Sequence, residues 1–302
     1  MKRIYTVMFA VSVSLALVAG GLLATYGLPL GIDFKGGSVL SVTFTGERPS
    51  VSQVREAITT SLGDVQSLTE VQLAPAGETG MILRSGPLDE DEHRALLEVL
   101  DESSGAPVVE ESFESVGPAI GAELKSASIR AIIILIVVIV IYIAIVFRSM
   151  SRILSPWVMG LAALVALSHD IIVPMGLFAL LGQTHGIQVT AVFVAAVLTV
   201  LGYSLSDTVV VFDRVRENIL RGTKDSFGQV VHRSVMQTLV RSLNTTLTTL
   251  AALVAIWLFG GESLRHFSLA LIVGITLGSY SSIFVAAPLL VWFSRRHRRA
   301  SS

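Results

Sequence analysis

Ala131-Ile-Ile-Ile-Leu-Ile-Val-Val-Ile-Val-Ile-Tyr-Ile-Ala-Ile-Val-Phe147 decides the fold. The run contains no Asp, Glu, Lys, Arg or His. A helix of about 20 apolar residues crosses a hydrocarbon core about 30 Å thick. It also bonds its own backbone there, where no water is available to do so. Residues 4–32, 186–206, 242–261 and 267–294 are equally free of ionisable side chains, and 153–184 is broken only by His169-Asp170. Apolar residues make up 52% of the 302, and they are clumped into these six runs. The expected fold is an α-helical polytopic membrane protein. Its six transmembrane helices lie at about 1–30, 129–147, 153–181, 187–212, 242–260 and 266–293, with a cytoplasmic segment at 213–241.

The first run follows Lys2-Arg3, as a signal peptide would. Its apolar stretch exceeds the usual h-region of about 7–15 residues, so it reads as an uncleaved span. Short loops rich in Lys and Arg stay in the cytoplasm. Basic residues gather at Lys2-Arg3, at Arg148 and Arg152, through 213–243 and at Arg295–Arg299, fourteen in all. The loops at 182–187 and 260–265 carry none and one. This alternation predicts both termini in the bacterial cytoplasm and residues 31–128 outside. With no cysteine, the chain has neither disulfides nor thiolate metal ligands.

Residues 31–127 hold 17 acidic and six basic side chains, a balance that excludes nucleic-acid binding. Leu40, Val42 and Phe44 alternate with Ser41, Thr43 and Thr45, the period of a half-buried strand. Ser50 and Gln53 form a capping box ahead of a helix with Val51, Val54, Ile58 and Leu62 on one face. Extended runs are expected at 68–73 and 80–84, a helix from Asp89-x-x-Glu92, and a last strand at 108–113. That order is βαββαβ, an α+β ferredoxin-like extracytoplasmic domain between helices 1 and 2. Its one histidine, His93, reads as a solvated helix residue. Nothing in the domain forms a catalytic or metal constellation.

An ionisable side chain within a span costs at least about 2.5–3.5 kcal/mol on insertion scales, so it calls for a reason. Asp207 falls in the fourth span with Tyr203 and Ser204 on the same face. Burial favours the neutral form of a carboxyl group, the property a reversible proton carrier needs. The competing reading is packing against a neighbouring helix. Arg241 opens the fifth span, and two readings fit it: a positive-inside anchor, or a fixed cation acting on Asp207. Asp170 lies mid-span beside His169, but adjacent helix positions point about 100° apart, so the two need not act together. Asp213 and Glu217, close to Arg214, Arg216 and Arg221, read as structural ion pairs. The hydroxyls of Thr245, Thr246, Thr248 and Thr249 suit close helix packing or a water path. Gly274-x-x-x-Gly278 is a weak signal by itself.

Several segments resemble the SecD/SecF family of the resistance-nodulation-division superfamily. They are Gly31-Ile-Asp-Phe-Lys-Gly-Gly37, Val116-Gly-Pro118 and Leu201-Gly-Tyr-Ser-Leu-Ser-Asp207 running into Val209–Asn218. Arg241-Ser-Leu-Asn-Thr-Thr246, Phe259-Gly-Gly261 and Ser281-Ser282 complete the set. The resemblance implies protein translocation driven by the proton motive force. It implies SecD as obligate partner, the SecYEG translocon with SecA, YajC and YidC as further partners, and unfolded preprotein as substrate. It implies no enzyme activity, no cofactor and no metal, and it favours Asp207 and Arg241 as members of a proton relay, to which Asp170 is added by its mid-span position alone. The Met1-Lys-Arg start is what a chain separate from SecD would show. A proton-coupled efflux carrier for small molecules or lipids is the alternative from the same superfamily. An intramembrane enzyme built on His169-Asp170 lacks a nucleophile.

Overall fold

The computed structural model describes residues 3–150, 155–222 and 224–300. Of the basic residues that set the expected orientation, Lys2 and Arg152 lie outside them. The chain divides into two units, one of residues 1–29 with 130–302, the other of residues 30–129.

Among the described residues, six helices are long and apolar enough to cross a membrane. They are α1 (Arg3–Tyr26), α5 (Pro118–Val146), α6 (Pro156–His185), α7 (Ala191–Leu220), α8 (Phe227–Phe259) and the Leu264–Ser294 span. The last is built from α9 (Glu262–Ser281), a π-helical turn (Ser282–Ala286) and α10 (Ala287–Ala300). Helix α5 begins well before the expected residue 129, because Pro118 preorganises a first helical turn. Helices α7 and α8 run on into the 213–241 segment, which is therefore the two ends of a helical hairpin. The chain turns between them at Gly222 (φ +75°), and Ser226 with Gln229 caps α8. The ion pairs there include Arg216 with Asp213 at 3.3 Å, Arg233 with Asp225 at 2.6 Å, and Glu217 with both Arg214 and Arg221.

Helices α6, α7 and α9 form the packed interior, with Ala162, Ala163, Ala166, Ala196 and Leu201 buried. Lipid tails are as apolar as leucine, so close packing rather than water exclusion must hold such helices together. Small residues permit it. A Cβ on Gly274 would lie 2.3 Å from Val200 Cγ2, and one on Gly278 would lie 2.8 Å from Ser204 Cβ. Gly274-x-x-x-Gly278 is thus the surface on which α7 and α9 meet. One on Gly176 would lie 2.5 Å from Ala19 Cβ, which seats α1 on α6. Helix α5 instead exposes Ile133, Ile134, Val137, Val138, Ile141 and Ile145.

In the other unit, α2 (Ile32–Lys35) precedes β1 (Gly37–Phe44), α3 (Val51–Leu62), β2 (Gln72–Ala76), β3 (Gly80–Ser85), α4 (Glu90–Ser104) and β4 (Val108–Val116). The strands form an antiparallel sheet in the order β2-β3-β1-β4. Leu40, Val42 and Phe44 of β1 meet Met81 and Leu83 of β3 and Val54, Ile58, Leu96 and Leu100 of the helices. Each such side chain contributes about 1.5–3 kcal/mol on burial. The predicted capping box of Ser50 with Gln53 forms, and Asp89 with Glu92 makes a second one at the start of α4.

Two expectations differ from the structure here. The strand expected at 68–73 begins only at Gln72, after a 3-10 turn (Gln66–Leu68) and a short further turn. His93 is buried rather than solvated: its ring stacks on Phe113 at 3.7 Å, and Nε2 lies 3.1 Å from Glu110.

Gly36 and Gly37 join α2 to β1 with φ of +78° and +132°. A side chain at Gly36 would meet Pro118 Cα at 2.9 Å, and one at Gly37 would meet the Ser85 carbonyl at 2.7 Å. The glycine pair thus lets the connector approach the start of α5 and the end of β3.

Candidate functional site

Asp207 is buried on α7, where two hydroxyls hold it: Ser242 of α8 donates to Oδ1 at 2.9 Å, and Ser279 of α9 donates to Oδ2 at 2.8 Å. The Thr246 hydroxyl, one turn beyond Ser242, bonds Ser279 in turn. Tyr203 does not join in, and its hydroxyl is buried without a partner one turn before Asp207.

Asp170 is completely buried on α6. Its Oδ2 accepts from Ser204 of α7 and Ser281 of α9, both at 2.6 Å, and Oδ1 lies 2.9 Å from His169 Nδ1. The two neighbouring side chains thus meet, rotated toward each other across the 100° between their helix positions. Ser204 serves Asp170 and not Asp207. His169 Nε2 is buried and unbonded, and its ring lies 6.4 Å from that of Tyr280.

The two acidic centres are adjacent. Ser204 and Asp207 are three residues apart on α7, and Ser279 and Ser281 are two apart on α9. The close approach allowed by Gly278 brings these hydroxyls within reach. The Ser279-Tyr-Ser-Ser282 run in an otherwise apolar span is the trace in the sequence of this function. The partners on α7 and α8 leave no such trace, because a lone serine in a helix normally bonds its own i−4 carbonyl.

Arg241 is not part of either centre. It is exposed on α8, next to Ser242, and lines a groove of about 500 Å³ with Tyr142, Asp213, Glu217, Gln237 and Thr238. It makes no ion pair with Asp207, both of whose oxygens are bonded by serines. The structure thus brings Asp207 and Asp170 into one hydroxyl-bridged region and leaves Arg241 beside it. Among the described residues no cluster of three or more His, Asp or Glu could hold a metal ion.

The family model for the protein export membrane protein SecD/SecF, C-terminal region, matches residues 97–296, and that for the SecD/SecF GG motif matches residues 21–46. The chain belongs to the SecD/SecF family. Among family members, a protein translocase subunit SecF of Thermobaculum terrenum is 42% identical, over 89% of this chain and 86% of that protein. A SecF of Anaerolinea thermophila is 38% identical over 96% of each. A SecDF of Thermus thermophilus is 35% identical over 97% of this chain but only 38% of its own length. The crystal structure of SecDF from Thermus thermophilus, described as a translocon-associated membrane protein, superposes with a TM-score of 0.82 at 31% identity. It covers 97% of this chain, which spans 38% of that one. A SecDF in a super-membrane-facing form gives a TM-score of 0.68, covering 98% of this chain and 39% of that chain. The GG motif of the family falls on the Gly36-Gly37 connector. The chain is a multi-pass membrane protein, and its relatives place it in Sec-dependent protein translocation.

Proposed function

We propose that this chain is one half of a proton-driven complex with SecD that promotes preprotein passage through the SecYEG channel after SecA. It acts as a transporter subunit and not as an enzyme. The observation that carries this reading is the burial of Asp207 and Asp170 where three core helices meet, with hydroxyls and one imidazole as partners. Two opposing effects act on such a carboxyl group. Burial favours the neutral acid, and donated hydrogen bonds favour the anion. Proton uptake turns one carboxyl oxygen into a donor, so the serine facing that oxygen, Ser242 or Ser279, must reorient or release Asp207. The helices that carry them then repack.

Arg241 sits one residue from Ser242 on α8, so a shift of that helix moves the cation and the Asp207 ligand together. Its open groove supports a path for protons from the basic, cytoplasmic side. The basic clusters support cytoplasmic termini in a bacterial inner membrane. The α+β unit is then external, and its strand order supports a ferredoxin-like plan. The work available is adequate: one charge crossing 100 mV releases about 2.3 kcal/mol, enough to bias two helix arrangements well over tenfold.

The test is Asp207→Asn, which keeps shape and polarity but cannot ionise. Gradient-stimulated export should be lost while the amount of assembled complex is unchanged. Undiminished stimulation would contradict the proposal.

A further inference from the structure

Ser279, Tyr280 and Ser281 are consecutive, and each reaches a different helix. Ser279 donates to Asp207 on α7, and Ser281 donates to Asp170 on α6. Between them, Tyr280 Oη donates to the Met8 carbonyl of α1 at 2.7 Å and accepts from Ser12 Oγ at 3.2 Å. Ser12 is itself buried within the span, so this link is sheltered from competing water. Successive helix residues fan out by about 100°, so one turn can serve three surrounding helices.

The Tyr280 ring also lies in a file of aromatic contacts. On one side is His169, which bonds Asp170; on the other, Phe284 at 5.0 Å. Phe284 is 5.9 Å from Tyr5 of α1, whose hydroxyl bonds His232 of α8 at 2.8 Å. Directly after Ser281 the backbone is π-helical, from Ser282 to Ala286. A π-turn holds one more residue than an α-turn and often stands at functional sites.

We propose that Tyr280 is the positioning residue that passes the state of the two carboxyl groups to α1, the helix whose chain continues into the α+β unit. The inference rests on the proton-exchange reading above. A change of protonation at either carboxyl group alters the bond made by Ser279 or Ser281. These serines flank Tyr280, so the turn cannot rotate or slide without carrying the tyrosine hydroxyl with it. That hydroxyl holds the α1 backbone at Met8 and the α1 side chain at Ser12. Motion of one turn of α9 is thereby delivered to α1 as a pull on its main chain.

Tyr280→Phe keeps the ring and its stacking and removes only the hydroxyl. The experiment uses membrane vesicles carrying the complete complex with its SecD partner, and measures proton conduction and gradient-stimulated export side by side. Asp207→Asn serves as reference. In Tyr280→Phe the export stimulation should fall about fivefold, the factor carried by one net hydrogen bond. Conduction should stay at the wild-type level, and Asp207→Asn should lose both. Wild-type export from Tyr280→Phe overturns the proposal. So does a parallel fall of conduction and export, or a failure to assemble, since either makes the hydroxyl a contact of the site or of the fold alone. If Asp207→Asn conducts normally, the carboxyl reading itself is lost and this coupling with it.

Discussion

Ser279 and Ser281 stand two residues apart on one helix, and each donates its hydroxyl to a different buried carboxylate, Asp207 at 2.8 Å and Asp170 at 2.6 Å. One turn of α9 therefore answers to both acids. Helices α6, α7 and α8 converge on that turn, and its position depends on the bonds it makes.

Asp170 has no exposed surface, accepts from two serine hydroxyls and bonds the His169 ring. Asp170→Ala would leave Ser204, Ser281 and His169 without this partner. Unpaired buried polar groups cost about 1–3 kcal/mol each, so a total near 3 kcal/mol is expected. Thermal unfolding of the purified complex should shift down by about 5–10 °C. Asp170→Asn, which keeps an acceptor, should shift it less. An unchanged melting temperature in the alanine variant would mean that the cluster contributes little to the fold.

Gly278→Ala places a methyl group 2.8 Å from Ser204 Cβ, whereas Gly202→Ala on α7 meets nothing within 4 Å. The first should force α7 and α9 apart, at about 1–3 kcal/mol, and misplace Ser279 and Ser281. The second should be neutral or mildly stabilising, because alanine favours a helix over glycine by about 1 kcal/mol. Export activity and melting temperature should both fall in the first variant only. Equal behaviour of the two would contradict the close approach.

Much of the architecture was legible before any coordinates. Long uncharged runs marked the spans, a capping box marked the start of α3, and Asp89-x-x-Glu92 marked that of α4. Strand alternation in 40–44 survived as β1. Helix ends were less legible: residues 213–241 carry enough charge to look like a separate segment, yet their charges pair along continuing helices. His93 was misread because its place on α4 is polar in pattern, while Phe113 and Glu110, which cover it, come from a distant strand. Asp207 and Asp170 stood out as charges within spans. Their serine ligands did not, since a hydroxyl's partner depends on which helix packs alongside.

Gly36 adopts φ of +78° against Pro118. Gly36→Ala would combine left-handed strain of about 1–2 kcal/mol with a contact that only backbone movement can relieve. Limited proteolysis of the intact protein should show faster cleavage in residues 30–129. Gly46→Ala, with open space and ordinary φ, should match wild type. Equal cleavage of both variants would argue that the glycine pair is dispensable for this packing.

Arg241 is exposed and lies apart from Asp207, so Arg241→Gln should change stability by no more than about 0.5 kcal/mol. If the groove carries protons toward Ser242 and Asp207, export stimulation should nonetheless drop about tenfold, a coupling of ~1.4 kcal/mol. Arg241→Lys should recover part of it. Full stimulation in the glutamine variant would assign Arg241 to membrane anchoring alone.

The account turns on proton uptake and release by the Asp207 side chain. Infrared difference spectra of the reconstituted complex across the working pH range read the carbonyl stretch of a protonated carboxylic acid directly. The account predicts a pH-dependent band that is present in wild type and missing from Asp207→Asn. An identical spectrum from both proteins, with no band that changes with pH, would contradict it.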